Sequence, residues 1–225
     1  MIGLTVLYED AKFVVVDKPS GLAVHRGASA DEDDIVTRLV RAKIVDLRPV
    51  HRLDRGTSGA LVLARGPDAA RELGRAFEEG AIEKTYVALV RGAVGTEEVL
   101  VDYAIPRDEG GARVAARTFV RGIATAELMD SPLRERRYSL VEARPVTGRF
   151  HQVRRHVKHL GHPVIGDANY GRSEHNRLLR EKLGLSRLAL HASRIRAKGL
   201  FDVGSPLPAD MANPLSMLGL RTREG

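Results

Sequence analysis

The stretch of sequence that decides the interpretation of this chain lies at residues 51–61 and reads His-Arg-Leu-Asp-Arg-Gly-Thr-Ser-Gly-Ala-Leu. Asp54 stands between Arg52 and Arg55, and a nearby cation favours the charged form of a carboxylate. The same arginines would attract a phosphate backbone towards Asp54. From the residues alone a second interpretation stays open, in which Asp54 and Ser58 only hydrogen-bond the backbone of a turn before a strand.

The composition describes a basic globular chain. Its 225 residues are 43% hydrophobic and 29% charged, with a formal net charge of +7, which favours a polyanion as partner. The absence of cysteine excludes disulfides, thiolate nucleophiles and zinc bound by cysteine. The first apolar run is short and is followed by Glu9 and Asp10, so we expect a cytoplasmic chain without a signal peptide or membrane span.

Patterns on either side of residues 51–61 predict short strands that alternate irregularly with helices. The runs Leu4 to Tyr8 and Phe13 to Val16 predict a hairpin. Further strands are predicted at 60–64, 82–92, 99–105, 124–128, 138–143, 188–191 and 194–196, and helices from Ile35, over 67–80, over 150–160 and after a Ser173 cap. No linker divides the chain. We therefore predict one α+β domain over residues 1–225, with a mixed, largely antiparallel sheet flanked by helices and a weakly patterned tail at 206–225.

The predicted helix at 150–160 carries the densest group of basic residues. A helical wheel places Phe150, Val153, Val157 and Leu160 on one core-facing stripe, with Arg154 at its border. A cation at that border can point into a neighbouring cleft. The wheel places Gln152, Arg155, His156 and His159 on an outer face, which is predicted to be solvated.

Several classes of chemistry find no support in the sequence. His156, His159 and His162 lack the His-Glu-x-x-His pattern, and Pro163 breaks the helix, so we expect no metal site. Ser58 does not lie in a Gly-x-Ser-x-Gly elbow, which argues against a serine nucleophile. Phosphate-loop and dinucleotide fingerprints are also missing.

Four blocks of the sequence, in this order, resemble the RluA-type family of pseudouridine synthases. They are Lys18-Pro19-Ser20-Gly21 with His25; His51-Arg52-Leu53-Asp54 with Thr57-Ser58-Gly59; Lys84-Thr85-Tyr86 with Ala88-Leu89-Val90; and Thr147-Gly148-Arg149 through His151-Gln152-Val153-Arg154 to Gly166-Asp167, with Leu190-His191-Ala192 closing the set. The blocks span about residues 5 to 205. The resemblance implies a single catalytic domain, 1–225, with an active-site cleft across its sheet.

The resemblance also implies an activity, which is the isomerisation of uridine in RNA to pseudouridine without cofactor or metal. Asp54 would be the essential carboxylate, attacking the sugar or the base or assisting glycal formation. Tyr86 would stack near the target base and remove the ring-carbon proton, although propensity alone favours a tyrosine that only packs on a sheet. Arg154 would pair with Asp54.

The same resemblance assigns residues to the RNA itself. Arg52 would enter the gap left by the flipped nucleotide, and Leu190 would line the pocket. Arg55 and Thr57, in the same motif as Asp54, would contact RNA. Asp167 is expected to fix the turn at Gly166.

A narrower resemblance points to one branch of the family. Arg121-Gly122-Ile123-Ala124-Thr125, the pair Arg154-Arg155 before His156, and His175-Asn176-Arg177 leading to 184–188 are similar to the tRNA pseudouridine(65) synthase branch. We therefore expect a monomer that modifies uridine 65 of tRNA.

Three alternatives stay open beside this expectation: a ribosomal RNA pseudouridine synthase, a non-catalytic RNA-binding protein and a glycoside hydrolase. The last would need a second carboxylate close to Asp54.

Overall fold

The computed structural model of the chain describes residues 3–25, 33–107 and 111–220. Within these ranges the strands are β1 Thr5–Glu9, β2 Phe13–Lys18, β3 Leu47–Pro49, β4 Ser58–Arg65, β5 Ile82–Arg91, β6 Val99–Asp102, β7 Ile105–Pro106, β8 Arg113–Val114, β9 Arg117–Glu127, β10 Arg137–Pro145, β11 Leu190–Ala197 and β12 Phe201–Gly204. The helices are α1 Ile35–Arg41, α2 Gly66–Glu78, α3 Gln152–His159, α4 Ser173–Leu183 and α5 Ala209–Met217. The predicted α+β class is confirmed.

The chain divides into two compact units, each made of two segments. Unit 1 consists of Met1–Lys84 and Ala192–Pro206, and unit 2 consists of Thr85–His191 and Leu207–Gly225. One catalytic domain over residues 1–225 stays a prediction, because a division into compact units does not decide whether either unit folds alone.

Unit 1 is built on the strand order β1, β2, β4 and the part of β11 that starts at Ala192, with β3 beside β4 and β12 beside β11. The predicted hairpin is confirmed, since β1 and β2 pair antiparallel with Val6 opposite Val16. Residues 58–64 of β4 are all buried, as expected for a strand that is covered on both faces. Phe13, Val62 and Leu73 belong to the core on one side of this sheet.

Unit 2 is built on the antiparallel order β5, β10, β9 and β6, with the separate hairpin β7–β8. Its core joins residues of the sheet with residues of α3, α4 and α5, among them Leu140, Val157 and Leu179. The prediction of a weakly patterned tail at 206–225 is wrong, because α5 lies within it and buries Met211 and Leu215.

Three further local predictions need correction. Ser173 is the first residue of α4 and not its cap; Arg172 holds the N-cap position without a side-chain hydrogen bond. The two strands predicted at 188–191 and 194–196 form the single strand β11. The outer face of α3 is also not solvated throughout, since Gln152 and His156 are buried. No helix within the described ranges has the length and apolar character needed to cross a membrane.

Candidate active site

Asp54 lies in unit 1 at the start of a tight turn immediately before β4. The backbone N–H of Thr57 donates to the carbonyl of Asp54 at 3.0 Å, which closes the turn over Arg55 and Gly56. The Asp54 residue is half-buried, whereas Arg52 and Arg55 are exposed. The turn that was one interpretation of the sequence is therefore present, and Asp54 opens it between two exposed arginine residues.

The last residue of β2, a buried lysine, holds this turn in place. Lys18 is fully buried (0% exposed), and its Nζ donates to the carbonyls of Pro19 (3.0 Å), Leu22 (2.7 Å) and Arg55 (3.3 Å). Carbonyl oxygens supply the hydrogen bonds that a buried ammonium requires. Lys18 therefore connects two segments that lie far apart in the sequence.

The rest of the Lys18-Pro19-Ser20-Gly21 block completes the connection. Ser20 Oγ donates to the carbonyl of Gly56 at 2.8 Å, and Gly21 N donates to the carbonyl of Arg55 at 2.8 Å. Arg55 Nε returns a bond to the carbonyl of Gly21 at 3.0 Å. The sequence indicated only a strand end and a turn here, and it gave no signal that this block supports the Asp54 turn.

The glycine that ends the motif is required by close packing within unit 1. Gly59 has φ +115, and a Cβ there would lie 2.3 Å from the carbonyl oxygen of Ala192. Any side chain would therefore push β4 away from β11 and would also strain the backbone. This explains the glycine of the Thr-Ser-Gly motif in terms of the backbone alone.

His51 fixes the other end of the loop. Its Nε2 accepts the backbone N–H of Val62 at 3.0 Å, so this nitrogen carries no proton. The imidazole stacks on Phe77 with 4.6 Å between ring centroids. Burial and then the charge of Lys84 lower the pKa of His51 to about 3, so that the ring is neutral near neutral pH.

Thr57 carries a polar atom that has no hydrogen-bond partner in the part of the chain that the structure describes. The residue is 2% exposed, and its Oγ1 has no hydrogen bond to any described residue. An unsatisfied buried hydroxyl costs free energy, and such groups often have a role beyond folding.

In unit 2, Arg154 forms a buried ion pair with Asp167. Nε and Nη2 of Arg154 donate to the two carboxylate oxygens of Asp167, each at 2.8 Å, and Arg154 is 6% exposed. Burial raises the pKa of Asp167, but the hydrogen bond and charge of Arg154, with backbone N–H groups of Tyr170 and Asn169, outweigh it and lower that pKa. The sequence predicted only the turn role of Asp167, which the bonds from Asn169 and Tyr170 confirm, and it missed the ion pair.

Helix α3, which carries Arg154, is docked by a chain of hydrogen bonds in which each donor can be assigned. His156 Nε2 contacts the carbonyl of Tyr103 at 3.0 Å and must be the donor there, so Nδ1 accepts from Thr118 Oγ1 at 2.8 Å. Thr118 Oγ1 in turn accepts from Gln152 Nε2 at 2.9 Å. Burial lowers the pKa of His156, which agrees with the neutral ring.

The remaining hydrogen-bonding groups of Gln152 are also occupied. Its Nε2 donates to the carbonyl of Arg117 at 2.9 Å, while Oε1 accepts from Thr147 Oγ1 (2.6 Å) and Arg149 N (3.0 Å). The first turn of α3 is thereby fixed to β9 and to the loop that precedes the helix.

The other predicted site residues of unit 2 lie in or against its core. Tyr86 is half-buried in β5, opposite Ala143 of β10, and packs against the core that contains Leu190. Leu190 is buried, and Arg187 Nη2 donates to its carbonyl at 3.2 Å. The structure thus brings Arg52, Asp54, Arg55 and Thr57 together on one loop of unit 1, and it places Tyr86, Arg154 and Leu190 in unit 2.

Within the described ranges no group of three or more His, Cys, Asp or Glu residues is arranged to hold a metal ion. The predicted catalytic and RNA-binding roles stay predictions at this point.

Comparison with known proteins supplies the family. The sequence matches the family described as RNA pseudouridylate synthase over residues 12–159. It is 39% identical over 209 residues to the tRNA pseudouridine synthase C of Vibrio parahaemolyticus, covering 87% of this chain and 85% of that one. It is 41% identical over 218 residues to the protein of the same name in Salmonella typhimurium, covering 91% and 83%.

Solved structures agree with this match. Human RNA Pseudouridylate Synthase Domain Containing 4 superposes with a TM-score of 0.77 at 26% identity, covering 97% of this chain and 94% of that one. Human RNA Pseudouridylate Synthase Domain Containing 1 gives a TM-score of 0.72 at 28% identity, with coverage of 94% and 87%.

Proposed function

The chain belongs to the RNA pseudouridylate synthase family and is an RNA-modifying isomerase, and from this premise we propose that its substrate is tRNA and its target uridine 65. The observation that carries the choice of tRNA is the 39–41% identity, over most of both chains, to relatives named tRNA pseudouridine synthase C. The tRNA-branch motifs, among them the pair Arg154-Arg155, support the same choice.

The reaction rearranges one nucleotide and needs no net oxidant or reductant. The bond between N1 and C1′ breaks, the uracil turns, and a bond forms between C5 and C1′. C5 releases a proton to water and N1 takes one up from water. The atoms and electrons of the nucleotide therefore balance. The protein must therefore supply a carboxylate to assist the change at C1′, a group that takes the C5 proton, and a pocket that retains the uracil.

Asp54 is the proposed carboxylate. Three routes are open to it: attack on C1′ of the sugar, attack on the base, or assistance to a glycal intermediate. Each needs an ionised carboxylate in a fixed position. The turn closed by Thr57 N and braced by Lys18 supports that requirement, because it leaves the backbone around Asp54 little freedom.

Tyr86 and Arg154 complete the proposed catalytic set. Tyr86 stacks near the target base and accepts the C5 proton at the end of the reaction. Arg154 is the proposed cationic partner of the catalytic carboxylate, and its bidentate contact with Asp167 fixes the plane of the guanidinium group. Asp167 is thus a positioning residue that acts through Arg154.

The proposed RNA contacts follow from the need to expose the uridine. A nucleotide that reacts at C1′ must leave the base stack, at a cost of a few kcal/mol. Arg52 occupies the gap that the nucleotide leaves, and Arg55 offsets the cost through phosphate contacts. Thr57 contacts the RNA beside Asp54, and Leu190 lines the pocket.

The test is release of tritium from RNA labelled at C5 of uridine. Purified wild type is given unmodified tRNA, the same tRNA with uridine 65 replaced by cytidine, and unmodified ribosomal RNA. We expect release from the first substrate alone. Release from ribosomal RNA alone would show isomerase activity but would overturn the proposal that the substrate is tRNA.

Asp54→Asn tests the role of the carboxylate. We expect release to be abolished while affinity for tRNA stays within about threefold, because the substitution removes no cation. Asp68→Asn is the matched control, since Asp68 is exposed in the first turn of α2. Tritium release by Asp54→Asn, or an equal loss of tritium release in Asp68→Asn, would contradict the proposed role of Asp54. Tight binding without release by the wild type would favour a non-catalytic RNA-binding protein.

A further inference from the structure

Tyr170, just after the Asp167 turn in unit 2, is surrounded by cations. The guanidinium carbons of Arg154 and Arg155 lie 5.1 and 5.4 Å from the centroid of its ring, and Lys158 Nζ lies 5.5 Å from it. Each distance lies in the range of a cation–π contact. Three positive side chains thus converge on one half-buried ring.

Arg155 is held in one orientation by this ring and its neighbours. Its Nε donates to Tyr170 Oη at 2.8 Å, and its guanidinium also lies 5.6 Å from the ring centroid of Phe150. Tyr170 Oη accepts from Arg155 and can direct its own hydrogen to His151 Nδ1, 3.1 Å away. A long arginine side chain ordered in advance loses less conformational entropy when it binds a ligand.

The charge of this group is only partly balanced. Arg154 pairs with Asp167, but neither Arg155 nor Lys158 has a carboxylate within 4 Å among residues 3–25, 33–107 and 111–220. By contrast, Arg187 of unit 2 pairs with the carboxylate of Asp210. An oriented guanidinium whose two Nη groups bond to no described residue is suited to a phosphate, whose oxygens it can bind in pairs.

We propose that Arg155, Lys158 and Tyr170 form a phosphate-binding patch that grips the backbone of the substrate RNA outside the reacting nucleotide. Arg155 supplies the directed N–H groups, Lys158 supplies a second charge, and Tyr170 fixes Arg155. The inference rests on the proposed function, in which the ligand is an RNA strand. Because Arg155 follows Arg154 on α3, the patch would hold the strand next to a residue of the proposed catalytic set.

The experiment measures how tRNA affinity depends on salt. Each phosphate contact adds about 0.9 to the slope of log affinity against log salt for a duplex, and about 0.7 for a single strand. We expect Arg155→Ala to reduce the magnitude of this slope by about 0.7–0.9 relative to the wild type, which corresponds to the loss of one phosphate contact. Lys158→Ala should reduce it as well. KM for tRNA should rise several-fold in both variants, while kcat at saturating tRNA stays within twofold of the wild type.

Two variants separate the patch from general effects of charge and folding. Arg134→Ala removes the same charge from an exposed arginine in the loop between β9 and β10, and we expect it to leave the slope unchanged. Tyr170→Phe keeps the ring and every charge but removes the acceptor for Arg155 Nε. The slope of log affinity against log salt should therefore equal that of the wild type, while the affinity for tRNA falls. Thermal melting identifies any variant that fails to fold.

The proposal is overturned if Arg155→Ala keeps the wild-type slope, or if Arg134→Ala lowers it equally. It is also overturned if kcat falls while the slope and KM stay unchanged, because Arg155 would then only support α3. Failure of the proposed function looks different, since the wild type would then release no tritium from tRNA.

Discussion

Replacing Thr118 by valine tests the hydrogen-bond chain that docks α3. Thr118 is fully buried (0% exposed), and valine has nearly the same shape but lacks the hydroxyl. In the wild type that hydroxyl donates to His156 Nδ1 at 2.8 Å and accepts from Gln152 Nε2 at 2.9 Å. The substitution therefore removes two hydrogen bonds without creating a large cavity.

The expected loss of stability follows from what the valine leaves behind. One N–H of Gln152 and the Nδ1 of His156 would stay buried without a partner, and each such group costs about 1–3 kcal/mol. We expect Thr118→Val to lower the free energy of unfolding by about 2–6 kcal/mol. That is a large share of the ~5–15 kcal/mol by which domains are usually stable.

Urea unfolding followed by circular dichroism measures this loss, with Thr57→Val as the matched control. Thr57 Oγ1 has no partner among the described residues, so its removal should leave the midpoint unchanged or raise it. The dependence of the unfolding free energy on urea should stay constant in both variants. A Thr118→Val protein within about 0.5 kcal/mol of the wild type would refute the assigned chain, since it would show that neither bond contributes.

Two more predictions concern the loop of Asp54. Burial lowers the pKa of His51 from 6.5 to about 3, so its contribution to stability is complete above about pH 6.5 and decreases as the pH falls towards 3. Urea midpoints measured from pH 7 to pH 4 should therefore fall less steeply for His51→Gln than for the wild type, and parallel curves would contradict this. Gly59→Ala should lower the free energy of unfolding by about 2 kcal/mol or more, because its Cβ would lie 2.3 Å from Ala192 O. Gly21→Ala, at φ +87 with no atom of a non-neighbouring described residue within 4 Å of the added Cβ, should lose about 1 kcal/mol. Equal midpoints for the two variants would refute the packing argument.

Local patterns in the sequence were sufficient to predict the hairpin of β1 and β2 and the turn at Asp54. Both depend on residues that are close in the chain, where alternation and turn-forming residues decide the backbone. The predicted core stripe at 150–160 is confirmed in part, since Val153 and Val157 of α3 are buried, whereas Phe150 precedes the helix and is half-buried.

Contacts between distant polar residues could not be predicted in the same way. A helical wheel treats Gln152 and His156 as solvated because both are polar, yet Thr118 of β9 and the carbonyl of Tyr103 give them buried partners. Lys18 presents the same difficulty, because the carbonyl of Arg55 that it binds lies 37 positions away in the sequence. Such partners are set by the tertiary fold, and no local periodicity reports them.

The division of both units into two sequence segments has a consequence for synthesis on the ribosome. The strand β4, with its apolar and wholly buried residues 58–64, is made early, but its neighbour β11 is made only after residue 189. At ~5–20 residues per second, the nascent chain exposes that unpaired edge for about ten seconds. An apolar strand edge without a partner readily joins other chains, so the growing polypeptide is open to aggregation until β11 has been added.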